Sequence, residues 1–267
     1  LDSGFRRNDE LTMGHTMNNI EFDILLPAFI AGLLVLATHI PLGMKVLARG
    51  VIFADLAVAQ IAGLGVVIAG LLDLTDRPLL VQLIAAASAL CGAALLAWIE
   101  YRLADIKEAC IGLTFVLAAS GGILLMSRDV HAGEHLKDLL VGQILWVSNT
   151  QLIATALLSA ALLAVWRWQQ TRLGNLGFYT LFALAVTASV QLVGVYLVFA
   201  SLIVPALATW RVERRRTHYA FAIGTTGYAV GLFLSAWLDL PSGATVVWTM
   251  AGTGVCAAWL LSKPART

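Results

Sequence analysis

Apolar residues along this chain are gathered into eight long windows, separated by short segments that hold charges and turn formers. The windows cover residues 23–44, 51–72, 79–99, 109–126, 150–166, 178–198, 219–238 and 243–262. Each window is apolar all round, without the single stripe of a soluble helix or the alternation of a membrane strand. Since roughly 20 such residues in a helix cross the hydrocarbon of a bilayer, the pattern predicts an all-α, polytopic membrane helix bundle.

Composition supports a membrane location and leaves no room for a soluble domain. Of 267 residues, 60% are apolar and 12% are charged, and the mean hydropathy is +0.85. Soluble domains carry roughly 25% charged residues. The net charge of +1 gives no indication of nucleic-acid binding. We expect residues 17–267 to form one transmembrane domain, and the polar residues 1–16 to be a disordered tail or a start-site artefact.

The distribution of Lys and Arg predicts the orientation, because cytoplasmic loops are enriched in both. One set of alternate loops, expected in the cytoplasm, holds Lys45, Arg49, Arg102, Lys107, Arg167 and Arg172. The opposite set holds Arg77, Arg128 and Lys137. The same rule places the C-terminus in the cytoplasm.

The apolar stretch 178–210 begins and ends beside basic residues that this orientation puts on one side. It must then cross the membrane and return, which gives eight to nine spans including a broken or returning helix near residues 199–211. Gly194, Ser201 and Pro205 are the predicted break points. A single long tilted helix is the alternative. Non-helical backbone at membrane depth survives only beside protein or a water-filled cavity, so a break here would mark a transport pathway.

Asp55 is the carboxylate that lies within a predicted span, near its cytoplasmic end. Such a group costs several kcal/mol unless it faces a cavity or a partner, and hard divalent cations prefer oxygen ligands. Asp55 is therefore a candidate pathway residue, or else an interfacial charge packed against Arg49 or Lys45. Gln191, beside the predicted break, is a weaker candidate.

The external loop contains His131, Glu134 and His135 in an HxxEH pattern, which on a helix would suggest a zinc protease. The segment is short, contains Gly133 and lies between spans, which argues against catalysis. We expect these residues to form an outer mouth for cations, to contact a partner, or to be an ordinary solvated loop.

Three stretches resemble the permease subunits of zinc/manganese/iron-type ABC importers. They are Val195–Ala208 (VYLVFASLIVPALA, after QLVG), Leu238–Val247 (LDLPSGATVV) and Asp138–Ser148 (DLLVGQILWVS). Their layout is also similar to that of the larger permeases for vitamin B12 and siderophores. The resemblance implies a bacterial inner-membrane pore subunit, homodimeric or paired with a similar chain. A periplasmic metal-binding protein would deliver a divalent ion, and a cytoplasmic ATPase would drive its transport.

The resemblance also implies roles for particular residues. In that family an Asp matching Asp55 is followed about one turn later by a His. Here Ala59 and Gln60 stand in that region, and the nitrogen ligand is missing. The predicted metal pathway is Asp55 and Gln60, together with Gln191 from its place beside the predicted break. The segment after the broken helix would dock on the ATPase, or would simply anchor the chain to the cytoplasmic face. Its predicted docking residues are Pro205, Trp210, Arg211, Arg214, Arg215 and Arg216.

The chain itself is predicted not to be an enzyme. No GxxxxGK[ST] phosphate loop occurs, so ATP hydrolysis would belong to the partner. We expect no permanently bound cofactor, since the metal ion would be the substrate. A secondary transporter driven by an ion gradient is the alternative function, although the internal repeats and intramembrane charges typical of that class are not evident. The loop Glu100–Glu108 resembles an acidic loop of the family and is a candidate second cytoplasmic contact, although a solvated turn is the expected role.

Overall fold

The computed structural model of the chain describes residues 3–261 except 75, 127–143 and 170–173, with side chains described from residue 24 onward. These residues form nine α-helices, two short 3-10 turns and no strand. The helices are α1 (Ser3–Arg49), α2 (Ala54–Leu71), α3 (Pro78–Arg102), α4 (Lys107–Met126), α5 (Asn149–Gln169), α6 (Asn175–Val193), α7 (Val195–Ala208), α8 (Arg216–Leu238) and α9 (Ser242–Leu261). The side chains of residues 1–16 lie outside the described part, so the expectation for them stays a prediction.

Eight of these helices are long and apolar enough to cross a membrane. They coincide with the eight apolar windows, which confirms the predicted helix bundle. Several helices run a few residues past the apolar windows. Thus α3 continues to Arg102, whose exposed side chain can reach polar surroundings while its stem covers apolar surface.

The predicted broken helix is present, with its break at Gly194. This residue has φ 81° and ψ 162°, a backbone conformation that only glycine adopts without strain. The short helix α7 begins at Val195, four residues before the predicted position, and Ser201 and Pro205 lie inside it. Pro205 does not end the helix, because a proline removes only one backbone donor and the Thr209 amide still bonds the Pro205 carbonyl.

The contacts of α6 and α7 show that this pair crosses the bundle and returns. At the start of α6, Asn175 accepts a hydrogen bond from Arg49, the last residue of α1. At the end of α7, the Ala206 carbonyl accepts one from Arg216, the first residue of α8.

Helix α8 runs antiparallel to α1, because Gly32 packs on the Tyr228 ring and Gly224 packs on Leu36. The beginning of α6 and the end of α7 therefore lie at the same end of the bundle, here called the Arg49 end.

Charged residues from several loops meet at the Arg49 end. Arg49 forms an ion pair with Glu100 at the end of α3, and Lys107 at the start of α4 donates to the Arg49 carbonyl. Trp166 near the end of α5 contacts the Phe178 ring of α6. These are loops that the Lys and Arg distribution assigned to one side of the membrane, and the structure brings them together.

The core of the bundle is formed around α6 and α7. Helix α6 is the most deeply buried of the eight spans, and α7 packs mainly between α1 and α9. Small residues permit this close packing: Gly43 of α1 lies against the Leu202 carbonyl, and Gly254 of α9 lies against Val204. Helices α4, α5 and α9 expose most of their apolar side chains, as expected for outer helices of a membrane bundle.

Candidate functional site

Asp55 occupies the first turn of α2 and is completely buried. Among the described residues neither of its carboxylate oxygens has a hydrogen-bond partner. The positive end of the α2 dipole favours a negative charge at this position, but it does not replace the lost hydration of a carboxylate. Asp55 is thus a buried group with unused capacity to bind a cation.

Basic groups at the Arg49 end are engaged elsewhere. Arg49 donates to Glu100 at 2.9 Å and to Asn175 at 3.2 Å, and its guanidinium lies 4.2 Å from the centre of the Phe178 ring. Lys45 is exposed. Within the described part of the chain, Asp55 has an ion pair with neither Arg49 nor Lys45.

A second carboxylate contacts the N-terminus of α2, the helix that holds Asp55. Glu108, in the first turn of α4, accepts a hydrogen bond from the Phe53 amide at the N-terminus of α2. Its other carboxylate oxygen is buried and has no partner among the described residues. The expectation of a solvated turn over Glu100–Glu108 is therefore wrong for these two acids, since Glu100 pairs with Arg49 and Glu108 caps α2. Sequence reasoning missed this cap because its partners are 55 positions apart.

The three predicted pathway residues are not brought together. Gln60 follows Asp55 by five positions, which places it about 140° around the helix, and it is half-buried. Ala59, about 40° from Asp55, shares its face and is buried. Gln191 is exposed near the far end of α6, roughly 24 Å along the helix from Asn175.

The structure shows two further polar features in the interior that the sequence analysis did not single out as site residues. Ser201 of α7 and Tyr228 of α8 are completely buried and share a hydrogen bond of 2.9 Å. His39 of α1 is also completely buried, and its Nε2 has no partner among the residues the structure describes. A histidine inside an apolar window is a signal that could have identified His39.

The predicted docking residues separate into exposed and internal groups. Trp210, Arg211, Arg214 and Arg215 are exposed in the turn between α7 and α8. Arg216 is half-buried, donates to the Ala206 carbonyl at 3.1 Å, and lies 5.6 Å from the centre of the Trp210 ring. Pro205 is buried inside α7, so it offers no surface to a partner.

The outer-mouth residues His131, Glu134 and His135 lie outside the described residues, and their role stays a prediction. Across the described part of the chain, no group of three or more His, Cys, Asp or Glu side chains is placed to hold a metal ion. The described interior therefore contains a single fully buried carboxylate and no closed metal centre.

Together, eight helices able to span a membrane, a helix broken at Gly194 and a buried carboxylate with no partner among the described residues indicate a multi-pass membrane protein of the transporter type. Comparison with known families gives the particular family. The family model described as the ABC 3 transport family matches residues 21–175 and 169–260, and the chain belongs to this family. Membership of an ABC transport family favours a permease over a gradient-driven secondary transporter.

Two similar proteins illustrate the relationship. The chain is 25% identical over 173 residues to a "probable iron transport system membrane protein" of Haemophilus influenzae, a match that covers 57% of this chain and 64% of the relative. It also superposes on a chain of the structure described as PsaBC from Streptococcus pneumoniae in complex with Fab. The TM-score is 0.68 at 22% identity, with 88% of this chain and 89% of that chain covered. This second likeness establishes a shared fold.

Proposed function

We propose that this chain is the membrane-spanning permease subunit of an ATP-driven importer of divalent metal ions. The observation that carries the proposal is Asp55, a fully buried carboxylate whose two oxygens lack partners in the described structure. A carboxylate in a membrane span is costly and marks an ion route by default. Family membership and the iron-transport description of the Haemophilus influenzae relative support the same function.

The chemistry of Asp55 suits a transported cation better than a permanently bound one. A single carboxylate offers oxygen ligands to zinc, manganese or iron without the closed coordination sphere of a structural site. An ion can therefore bind and leave. Glu108 has one buried oxygen without a partner among the described residues, and it would add negative potential at the same end of the bundle.

We further propose that the Arg49 end faces the cytoplasm of a bacterial cell and that the membrane is the inner one. The positive-inside rule supports this orientation, because Arg49, Arg102 and Lys107 belong to that end together with the arginines before α8. Since α9 runs antiparallel to α8, the C-terminus would also be cytoplasmic.

The partners that this function requires are a cytoplasmic ATPase, a periplasmic metal-binding protein and a second permease chain, with a homodimer as the simplest assembly. We assign the ATPase contact to the exposed residues Trp210, Arg211, Arg214 and Arg215. Arg216 holds the Ala206 carbonyl of α7. Movement of this turn by an ATPase would consequently be transmitted to the broken helix.

Metal uptake tests the transport proposal. Cells lacking their own importers would express this chain with its ATPase and binding protein, and uptake of zinc, manganese and iron would be measured. Asp55→Asn should abolish uptake that depends on the ATPase. Asp73→Asn, the same change at an exposed residue after the other end of α2, should leave it unchanged. Equal uptake by the Asp55→Asn and wild-type complexes would remove Asp55 from the pathway.

Copurification tests the docking surface. The double variant Arg211→Glu with Arg214→Glu should lose the ATPase during affinity purification while the permease remains folded. Arg102→Glu changes an exposed arginine at the same end of the bundle and should retain the ATPase. Retention of the ATPase by the double variant would leave these arginines with an anchoring role alone.

A further inference from the structure

The state of the His39 ring is determined by its hydrogen bonds. His39 Nδ1 lies 3.0 Å from the Val35 carbonyl oxygen, which can only accept, and 3.0 Å from the Thr38 hydroxyl, which itself donates to that carbonyl. Both contacts are satisfied when Nδ1 carries the ring proton. The neutral ring then presents a bare lone pair at Nε2. That atom is buried and has no partner within the described residues. Buried polar atoms ordinarily form at least one hydrogen bond. A role for His39 in packing alone therefore does not explain a buried Nε2 without one.

The face of α1 that holds His39 is the face that packs on the broken helix. Gly43, one turn after His39, lies against the Leu202 carbonyl of α7. Gly32, two turns before His39, lies against the Tyr228 ring of α8. All three positions of α1 fall within about 40° of one another around the helix. His39 therefore faces α7 and α8, where the buried Ser201 and Tyr228 hydroxyls meet.

The arrangement around Nδ1 is the one found at metal-binding histidines. Such residues almost always donate the second ring N–H to a carboxylate or a backbone carbonyl, which fixes the ring and makes the other nitrogen a better ligand. A neutral imidazole nitrogen suits zinc and other borderline divalent cations. The other described histidine, His218, is exposed at the start of α8 and cannot serve the interior.

We propose that His39 is the nitrogen ligand of the ion pathway, supplied from α1 and directed at the broken helix α7. This inference rests on the proposed transport function. His39 lies ten residues before Arg49, or about 15 Å along α1 from the Arg49 end, where Asp55 lies in the first turn of α2. His39 and Asp55 are thus two successive ion-binding positions at different depths in the membrane. The ion meets the imidazole of His39 before it meets the carboxylate of Asp55, which is nearer the Arg49 end. The imidazole selects for zinc over manganese, because manganese prefers oxygen ligands.

Spectroscopy on a chain that keeps His39 tests direct binding. In the full-length chain, the other four histidines (His15, His131, His135 and His218) are replaced by Gln, so that His39 supplies the remaining imidazole. The purified, zinc-loaded variant should show imidazole scattering in its zinc K-edge absorption spectrum. Zinc bound through oxygen ligands alone, or no bound zinc, would overturn the proposal. His39 stays in place in this variant, so the loss of a buried side chain does not complicate folding.

Transport by the assembled complex tests the role of that binding. His39→Gln should lower zinc uptake by at least roughly 10-fold, since loss of only an outer-shell partner of a metal ligand already costs about 10- to 100-fold, and should lower manganese uptake less. Thr226→Val removes an exposed hydroxyl of α8 and should change neither rate. Unchanged zinc uptake in His39→Gln would overturn the inference. A wild-type complex that moves neither ion would instead overturn the proposed function, and the zinc spectrum would still decide whether His39 binds metal.

Discussion

Ser201 in α7 and Tyr228 in α8 share a buried hydrogen bond of 2.9 Å between their hydroxyl oxygens. Ser201 also donates to the Leu197 carbonyl of its own helix at 2.7 Å, so Tyr228 is the donor in the shared bond. The Tyr228 ring reaches this position because Gly32 of α1 has no side chain to block it. The bond joins the returning helix α7 to α8, and the Tyr228 ring in turn packs on α1 at Gly32.

Removing either hydroxyl should loosen the attachment of α7 to α8. In a double-mutant cycle of Tyr228→Phe and Ser201→Ala, we expect a coupling of roughly 0.5–1.5 kcal/mol, as for hydrogen bonds between membrane helices. Unfolding in a detergent mixture, followed by circular dichroism, measures it. Ser120→Ala, which removes an exposed hydroxyl bonded to its own helix, is the control. Additive effects of the two changes would mean that the bond contributes nothing.

Gly43→Ala should destabilise the bundle, because the added methyl group would collide with the Leu202 backbone carbonyl. Backbone cannot move aside as a flexible side chain can, so we expect a loss of roughly 1–3 kcal/mol. The matched control is Gly112→Ala in α4, where a methyl group meets no other atom. Thermal unfolding of both variants should separate them, and equal midpoints would show that α1 and α7 are less tightly packed than the structure indicates.

Gly194→Ala should weaken both folding and transport, since φ 81° is unfavourable for a residue with a side chain. The expected cost is about 1–3 kcal/mol. Gly174→Ala replaces the glycine before α6, which has an extended backbone and open space around it, and should be tolerated. Thermal stability and metal uptake measured on the same preparations test whether the break at Gly194 is required. A fully active, stable Gly194→Ala protein would contradict that requirement.

Arg49→Gln should destabilise the Arg49 end by roughly 1–3 kcal/mol. The change removes the ion pair to Glu100 and the contact with the Phe178 ring, and the side chains of Arg49 and Glu100 are 23% and 13% exposed. Arg102→Gln alters an exposed arginine and should shift stability by less than about 0.5 kcal/mol. Denaturant unfolding compares the two. A larger effect at Arg102 would be inconsistent with the contacts described at the Arg49 end.

Asp55→Asn should abolish metal uptake without lowering the stability of the protein. Because the carboxylate oxygens of Asp55 lack partners in the described structure, the substitution breaks no hydrogen bond and relieves the cost of a buried charge. We therefore expect an unchanged or higher unfolding midpoint together with loss of metal uptake. A strongly destabilised Asp55→Asn protein would show that this carboxylate has a structural partner.

The broken helix shows how much of this fold could be predicted from the sequence. Basic residues on both sides of the stretch 178–210 favoured a return across the membrane over one long tilted helix, and Gly194 is one of three predicted break points. Choosing among the three needed the backbone of the folded chain, because Ser201 and Pro205 are compatible with the interior of α7 when its neighbours hold it in place.

For the candidate site, the sequence identified one residue but could not predict what surrounds it. Asp55 was identified from its sequence context, because a carboxylate among apolar residues is conspicuous at any depth. The sequence could not predict that Asp55 forms no ion pair with Arg49 in the described structure. Arg49 bonds instead to Glu100 and Asn175, which are 51 and 126 positions away from it. The position of His39 between two contacts with α7 and α8 likewise depends on packing.

By itself, the sequence determined where the apolar spans lie, their approximate lengths and the carboxylate within one of them, and it limited their number to eight or nine. These properties follow from the local requirement that about 20 apolar residues cross the bilayer and that charges avoid it. The tertiary structure decided which polar side chains are satisfied and which remain bare, because hydrogen bonds between helices join residues far apart in the chain. The polar atoms of Asp55, Glu108 and His39 that have no partner in the described part of the chain are a consequence of that packing.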